Sequence, residues 1–128
     1  MEQIRLGPHQ VLTIVESTPE VLRMEARWEP GGTPPIGHLH PSQDEAFAVL
    51  EGELAVTLDG EPRTLAAGDT LEIPAGTPHG MHNASEVVTR ATWEVRPALA
   101  THEMLRVIAG GGAEDFLERF AAEFRLAP

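Results

Sequence analysis

Cysteine, lysine and tyrosine are absent from this 128-residue chain. Without cysteine there is no disulfide, no thiolate nucleophile and no thiolate metal ligand. Without lysine, Schiff-base chemistry through a side-chain amine is excluded. Without tyrosine there is no phenol to act as general acid or radical site. Positive charge is scarce as well: nine basic residues stand against twenty acidic ones, a formal charge of −11. Phosphate backbones and anionic lipid surfaces need clustered Lys and Arg, so neither nucleic acid nor a membrane is an expected partner. The acidity reads as solubility. Residues 1–8 hold no apolar signal core, and no stretch is long enough to cross a bilayer, so the expected location is cytoplasmic. At 13.8 kDa the chain fits one domain around one core.

Short strand-like runs broken by close-spaced turn signals fill the middle of the chain, which favours an all-β barrel or sandwich. Val11–Val15 reads as a strand. In 21–28, Leu22, Met24, Ala26 and Trp28 share one face while Arg23, Glu25 and Arg27 share the other. Runs 45–50 and 54–58 read as a hairpin around Glu51-Gly52-Glu53, and Asp59-Gly60 is a strong turn signal. Thr70–Ile73 is another strand, and 87–95 alternates with Val87, Ala91, Trp93 and Val95 on one side. After Pro97 the pattern turns helical. Thr101 is placed to cap a helix over 102–109 that ends at Gly110-Gly111-Gly112. Residues 113–125 carry Phe116, Leu117, Phe120, Ala121 and Phe124 at helical spacing, and these aromatics read as packing residues.

The donors for chemistry are His38, His40, Glu45 and His79. Residues two apart on a strand face the same way, so His38 and His40 can aim two imidazoles at one point. Glu45 re-enters beyond the Pro41-Ser42 turn, and Asp44 beside it is an alternative carboxylate. His79 is delivered by a turn fixed by Pro74, Gly76 and Pro78. Three imidazoles and a carboxylate suit one divalent first-row transition metal per chain: Fe, Mn, Ni, Co or Zn. Asn83 reads as a structural turn residue. His9, His82 and His102 read as surface residues.

Two spaced motifs hold these donors. The first is glycine, five residues, His-x-His, four residues, glutamate, six residues, glycine: Gly32, His38, His40, Glu45 and Gly52. The second is glycine, five residues, Pro-x-Gly, two residues, histidine, three residues, asparagine: Gly68, Pro74, Gly76, His79 and Asn83. Together they resemble both motifs of the cupin superfamily at every position. The resemblance implies a double-stranded β-helix, or jelly-roll, barrel over residues 1–100 with the metal inside near one mouth. Residues 101–128 are then a helical extension packed on the same domain.

Strand parity predicts an apolar substrate lining of Met24, Trp28, Ile36, Phe47, Met81 and Trp93, with Arg23, Arg27 and Arg90 on the outer face. The metal and Glu45 are then the main reactive groups, Glu45 serving as ligand and as base. Small cupins of this kind are often dioxygenases of diketones or flavonols, and that is the activity the resemblance implies first. Non-redox isomerases, decarboxylases and lyases share such sites, and other cupins only bind or sense small molecules. A homodimer is expected, with the N-terminal strand and the C-terminal helix as its contact elements.

Overall fold

The computed structural model describes residues 1–128 and folds into two antiparallel sheets facing one another. The first sheet has six strands, β1 (Gln3–Arg5), β2 (Gln10–Ser17), β3 (Leu22–Trp28), β5 (Asp44–Glu51), β8 (Thr70–Ile73) and β10 (Thr89–Arg96), in the order β1-β2-β3-β10-β5-β8. The second has five, β4 (His38–Leu39), β6 (Glu53–Leu58), β7 (Glu61–Ala66), β9 (His79–His82) and β11 (Arg125–Leu126), in the order β11-β4-β9-β6-β7. Two helices, α1 (Thr101–Ala109) and α2 (Phe116–Arg119), separate β10 from β11. Strands next to each other in sequence often lie in different sheets, which is the crossover pattern of a jelly roll.

Alternation of apolar and polar residues decides which way each strand faces. On β3, Leu22, Met24, Ala26 and Trp28 are buried. They pack with Leu12, Phe47, Val49, Leu54, Val56, Ile73, Ala91 and Val95 into one core between the sheets. The opposite faces of β3 and β10 carry ion pairs, Arg23 with Glu16 and Glu94, Arg90 with Glu25 and Glu51. No arginine is left facing the interior from those strands.

Four sequence expectations are corrected. First, β5 and β6 are not a hairpin: β5 pairs with β10 and β8, while β6 pairs with β7 and β9. The chain crosses between sheets at Gly52, where φ is +81° and a Cβ would lie 2.5 Å from the Val88 carbonyl oxygen. Only glycine fits that crossing. The hairpin at Asp59-Gly60 does form, joining β6 to β7 with both turn residues at positive φ. Second, Val87 is exposed and precedes β10, and the buried residue on that face is Thr89, whose hydroxyl bonds Glu53.

Third, Thr101 does not cap α1. Ala100 holds the cap position, and the buried Thr101 hydroxyl accepts a hydrogen bond from Gln43 Nε2 at 2.7 Å. Fourth, residues 113–125 are not one helix. α2 spans four residues and stops at Phe120. The chain then turns so that β11 pairs with β4, Leu126 opposite His38. This strap also donates from Ala127 N–H to the Gly37 carbonyl at 2.9 Å. Sheet pairing with β4 outweighs a helical spacing that was only local.

Candidate metal centre and cavity

The donor residues meet because strands from both sheets bring them together. β4 and β9 pair with His38 directly opposite His79, and β5 brings Glu45 from the other sheet. The turn before β9 is pinned at both ends: Gly76 N–H bonds the His40 carbonyl at 2.8 Å, and Asp59 N–H bonds the Pro78 carbonyl at 2.8 Å. Ala75 N–H bonds Asp44 Oδ1 at 2.8 Å, so Asp44 faces outward and is not a donor at this site.

One ring nitrogen from each of His38, His40 and His79 lies within 4.8 Å of the others, a set that can hold a metal ion. Each Nδ1 points at a main-chain carbonyl: His40 to Glu123 at 2.7 Å, His79 to Thr77 at 2.9 Å and His38 to Ile36 at 3.4 Å. A carbonyl only accepts, so Nδ1 carries the proton and Nε2 presents a lone pair. Such outer bonds are what orient metal-ligating imidazoles.

Glu45 Oε1 lies 3.0 Å from His40 Nε2 and 2.9 Å from His79 Nε2. Those contacts place lone pairs against lone pairs, and both His40 Nε2 and Glu45 Oε1 are buried without a hydrogen-bond partner. A cation between them resolves the conflict. Donors about 2.1 Å from a shared ion and at right angles stand roughly 3 Å apart, which matches the two contacts. Burial works against ionising Glu45. In the absence of an ion, a proton on the facing His40 or His79 Nε2 takes its place, and hydrogen bonding to Oε1 then holds the Glu45 carboxyl well below the usual range despite that burial. Burial, together with the neighbouring His79 and His40, pushes His38 down to about 4. Burial opposes charging His40 too, but Glu45 beside it raises its pKa overall.

The centre forms the floor of a cavity of about 400 Å³, and eleven of its seventeen lining residues are hydrophobic. Trp28, Ile36, Phe47, Met81 and Trp93 line it. Met24 does not: it is buried in the core, on β3 between Ile14 of β2 and Trp93 of β10. Trp93 stacks on Phe47 with ring centres 5.6 Å apart and donates from Nε1 to Glu45 Oε2 at 2.6 Å. No arginine lines the cavity, and Glu45 is its single carboxylate.

The sequence reading missed the C-terminal contribution. Met104, Leu105 and Ile108 of α1, with Phe124 and Leu126 of the strap, complete the wall. Phe124 stacks on His38 at 4.9 Å, with planes 19° apart. Its helical spacing with Phe116 and Phe120 hid this role, since nothing local marks the return onto β4. The other histidines stay outside the centre. His102 bonds Ser17 and Glu2, and His82 lies on a separate outer groove. Asn83 bonds the Trp28 and Val87 carbonyls and receives Ser85 N–H.

Barrel, paired motifs and converging histidines define a class, and the family model for the cupin domain matches residues 24–94, more than half the chain. The chain belongs to the cupin family. Over 42 residues it is 52% identical to the quercetin 2,3-dioxygenase of Bacillus subtilis (strain 168), covering 33% of this chain and 12% of that protein. Over 96 residues it is 35% identical to a probable oxidoreductase, YanE, of Aspergillus niger, covering 69% of this chain and 37% of that one. These matches span less than half the length of either relative. The solved structure of KdgF from Halomonas sp. superposes with a TM-score of 0.68 at 26% identity, over 76% of this chain and 88% of that chain. No helix is long and apolar enough to cross a membrane.

Proposed function

We propose that the protein is a metal-dependent dioxygenase of small, apolar, oxygen-bearing molecules of the diketone or flavonol kind. The observation that carries this reading is the convergence of His38, His40, His79 and Glu45 on the floor of an apolar cavity free of arginine. A carboxylate or phosphate ester would find no cationic side chain there, while an uncharged chelating molecule can place its carbon body against Phe47, Met81, Trp93 and Phe124. The short match to a quercetin dioxygenase points the same way.

In this reading His38, His40, His79 and Glu45 hold the ion. A bound redox-active metal polarises substrate oxygens and engages dioxygen. The chain's own residues do the rest. The aromatic walls orient the substrate and exclude water, and Glu45 is the one carboxylate available there to receive the substrate's proton.

The test is oxygen consumption by protein loaded with Fe(II), Mn(II) or Ni(II) and offered enolisable diketones and flavonols. Uptake coupled to substrate loss is expected with at least one of these metals. Equal turnover without oxygen, or with Zn(II), would replace the dioxygenase by a Lewis-acid isomerase, decarboxylase or lyase. Tight binding with no turnover would make the protein a binding module.

A further inference from the structure

Glu45 makes two kinds of contact, one from each oxygen. Oε1 faces His40 and His79 at 3.0 and 2.9 Å, and Oε2 accepts the Trp93 indole N–H at 2.6 Å. An indole N–H only donates, so this contact has one sense. A carboxylate can bind a cation through one oxygen or through both. The choice depends on whether the second oxygen is free to rotate toward the ion.

Trp93 is itself held firmly. β10 sets it opposite Phe47 on β5 and opposite Met24 on β3, and its ring lies nearly parallel to Phe47, 15° apart. A donor fixed by two strands and a stacked ring fixes the carboxylate plane in turn. Glu45 is 3% exposed, so its contact with Trp93 is largely shielded from bulk solvent.

We propose that Trp93 is a positioning residue whose indole N–H restricts Glu45 to one-oxygen ligation. The restriction keeps ion positions open toward the cavity for a chelating substrate. This rests on the metal reading given above. It also gives Trp93 a second task beside its place in the apolar wall. Such outer-shell contacts set ligand geometry and tune the ion they surround.

The test uses Co(II) alone as the probe, read by visible absorption, in the wild type and in Trp93→Phe. Phenylalanine keeps an aromatic ring against Phe47 and removes the N–H donor together with the bulk of the indole's second ring. The expected result is a weakened and shifted visible band in the variant, as Glu45 adds its second oxygen and raises the coordination number. Identical spectra at full Co(II) loading would overturn the inference and leave the metal site standing. A wild type that takes up no Co(II) would overturn both. Should Trp93→Phe fail to fold, the wild-type Zn(II) form decides the matter by indole N–H resonance. The protein has two tryptophans, so two such signals are expected. A Trp93 signal protected from solvent exchange and shifted by Glu45→Gln is expected. A freely exchanging signal indifferent to Glu45→Gln would overturn the inference.

Discussion

His40 shows how much a single residue carries. Its Nδ1 is committed to the Glu123 carbonyl at 2.7 Å, and its Nε2 lies buried with no hydrogen-bond partner. Removing it would take away a candidate ligand and leave a void on one side of the buried Glu45 carboxylate. His40→Ala should therefore lose metal affinity by more than the roughly 10–100-fold typical of outer-shell changes. Elemental analysis of wild type and variant purified side by side measures this, and full occupancy in His40→Ala would remove His40 from the ligand set. Acidification acts in the same direction, because protonated imidazole cannot ligate. Metal release should follow falling pH, and occupancy held unchanged in strong acid would count against histidine ligation.

Among the elements, the C-terminal strap joins the wall of the cavity with the surroundings of the candidate metal site. It supplies the Glu123 carbonyl to His40 and the Phe124 ring to His38, yet it is held to the barrel by the short β11–β4 pairing. Phe124→Ala should widen the mouth while leaving the histidines in place. We expect it to admit bulkier flavonols and to weaken Co(II) binding by at most about 10–100-fold. A chelator-competition titration reads the second effect, and an unchanged substrate range would deny Phe124 its place as a wall. At the other end of the chain, β1 is tied to α1 by Glu2, which accepts from Arg106 Nε at 2.8 Å and Nη2 at 2.7 Å and contacts His102 at 2.9 Å. Arg106 foremost, aided by His102 and against slight burial, holds the Glu2 carboxyl down at about 2 from its ordinary 4.5. A carboxylate lowered on folding stabilises the fold above its unfolded pKa and loses that contribution as pH falls through the folded one. The wild type should thus outlast Glu2→Gln in urea above pH 4.5 and lose the advantage on the way down to pH 2. A gap constant across that window would show that the Glu2 charge adds nothing, and added salt should narrow the gap if the charge carries it.

For the whole molecule, both sheets end in open edges, at β1 and β8 in one and at β11 and β7 in the other. Unpaired strand edges favour covering, and we propose that a second copy of the chain provides it. Light scattering at micromolar concentration should give twice 13.8 kDa, and a single-chain mass would refute the dimer. How much of this molecule could be read beforehand follows from the range of the forces involved. Strand alternation, the Asp59-Gly60 turn and the two spaced motifs are local, so the sequence alone determined the barrel class, the inward parity of Glu45 and Phe47, and the four candidate donors. The partner of β5 was not local: Gly52 read as a hairpin turn, and only the close approach of Val88 and Thr89 made it a crossing between sheets. Met24 and Phe124 exchanged roles for a similar reason. Parity shows that Met24 points inward, but packing between the sheets decides that it fills core rather than cavity. Phe124 has the spacing of a packing helix, and it reaches His38 because β11 gains hydrogen bonds on β4 that a continued helix would forgo. The sequence determined which residues could do chemistry, while the tertiary structure decided what surrounds them, since walls and outer hydrogen bonds come from segments far apart in the chain.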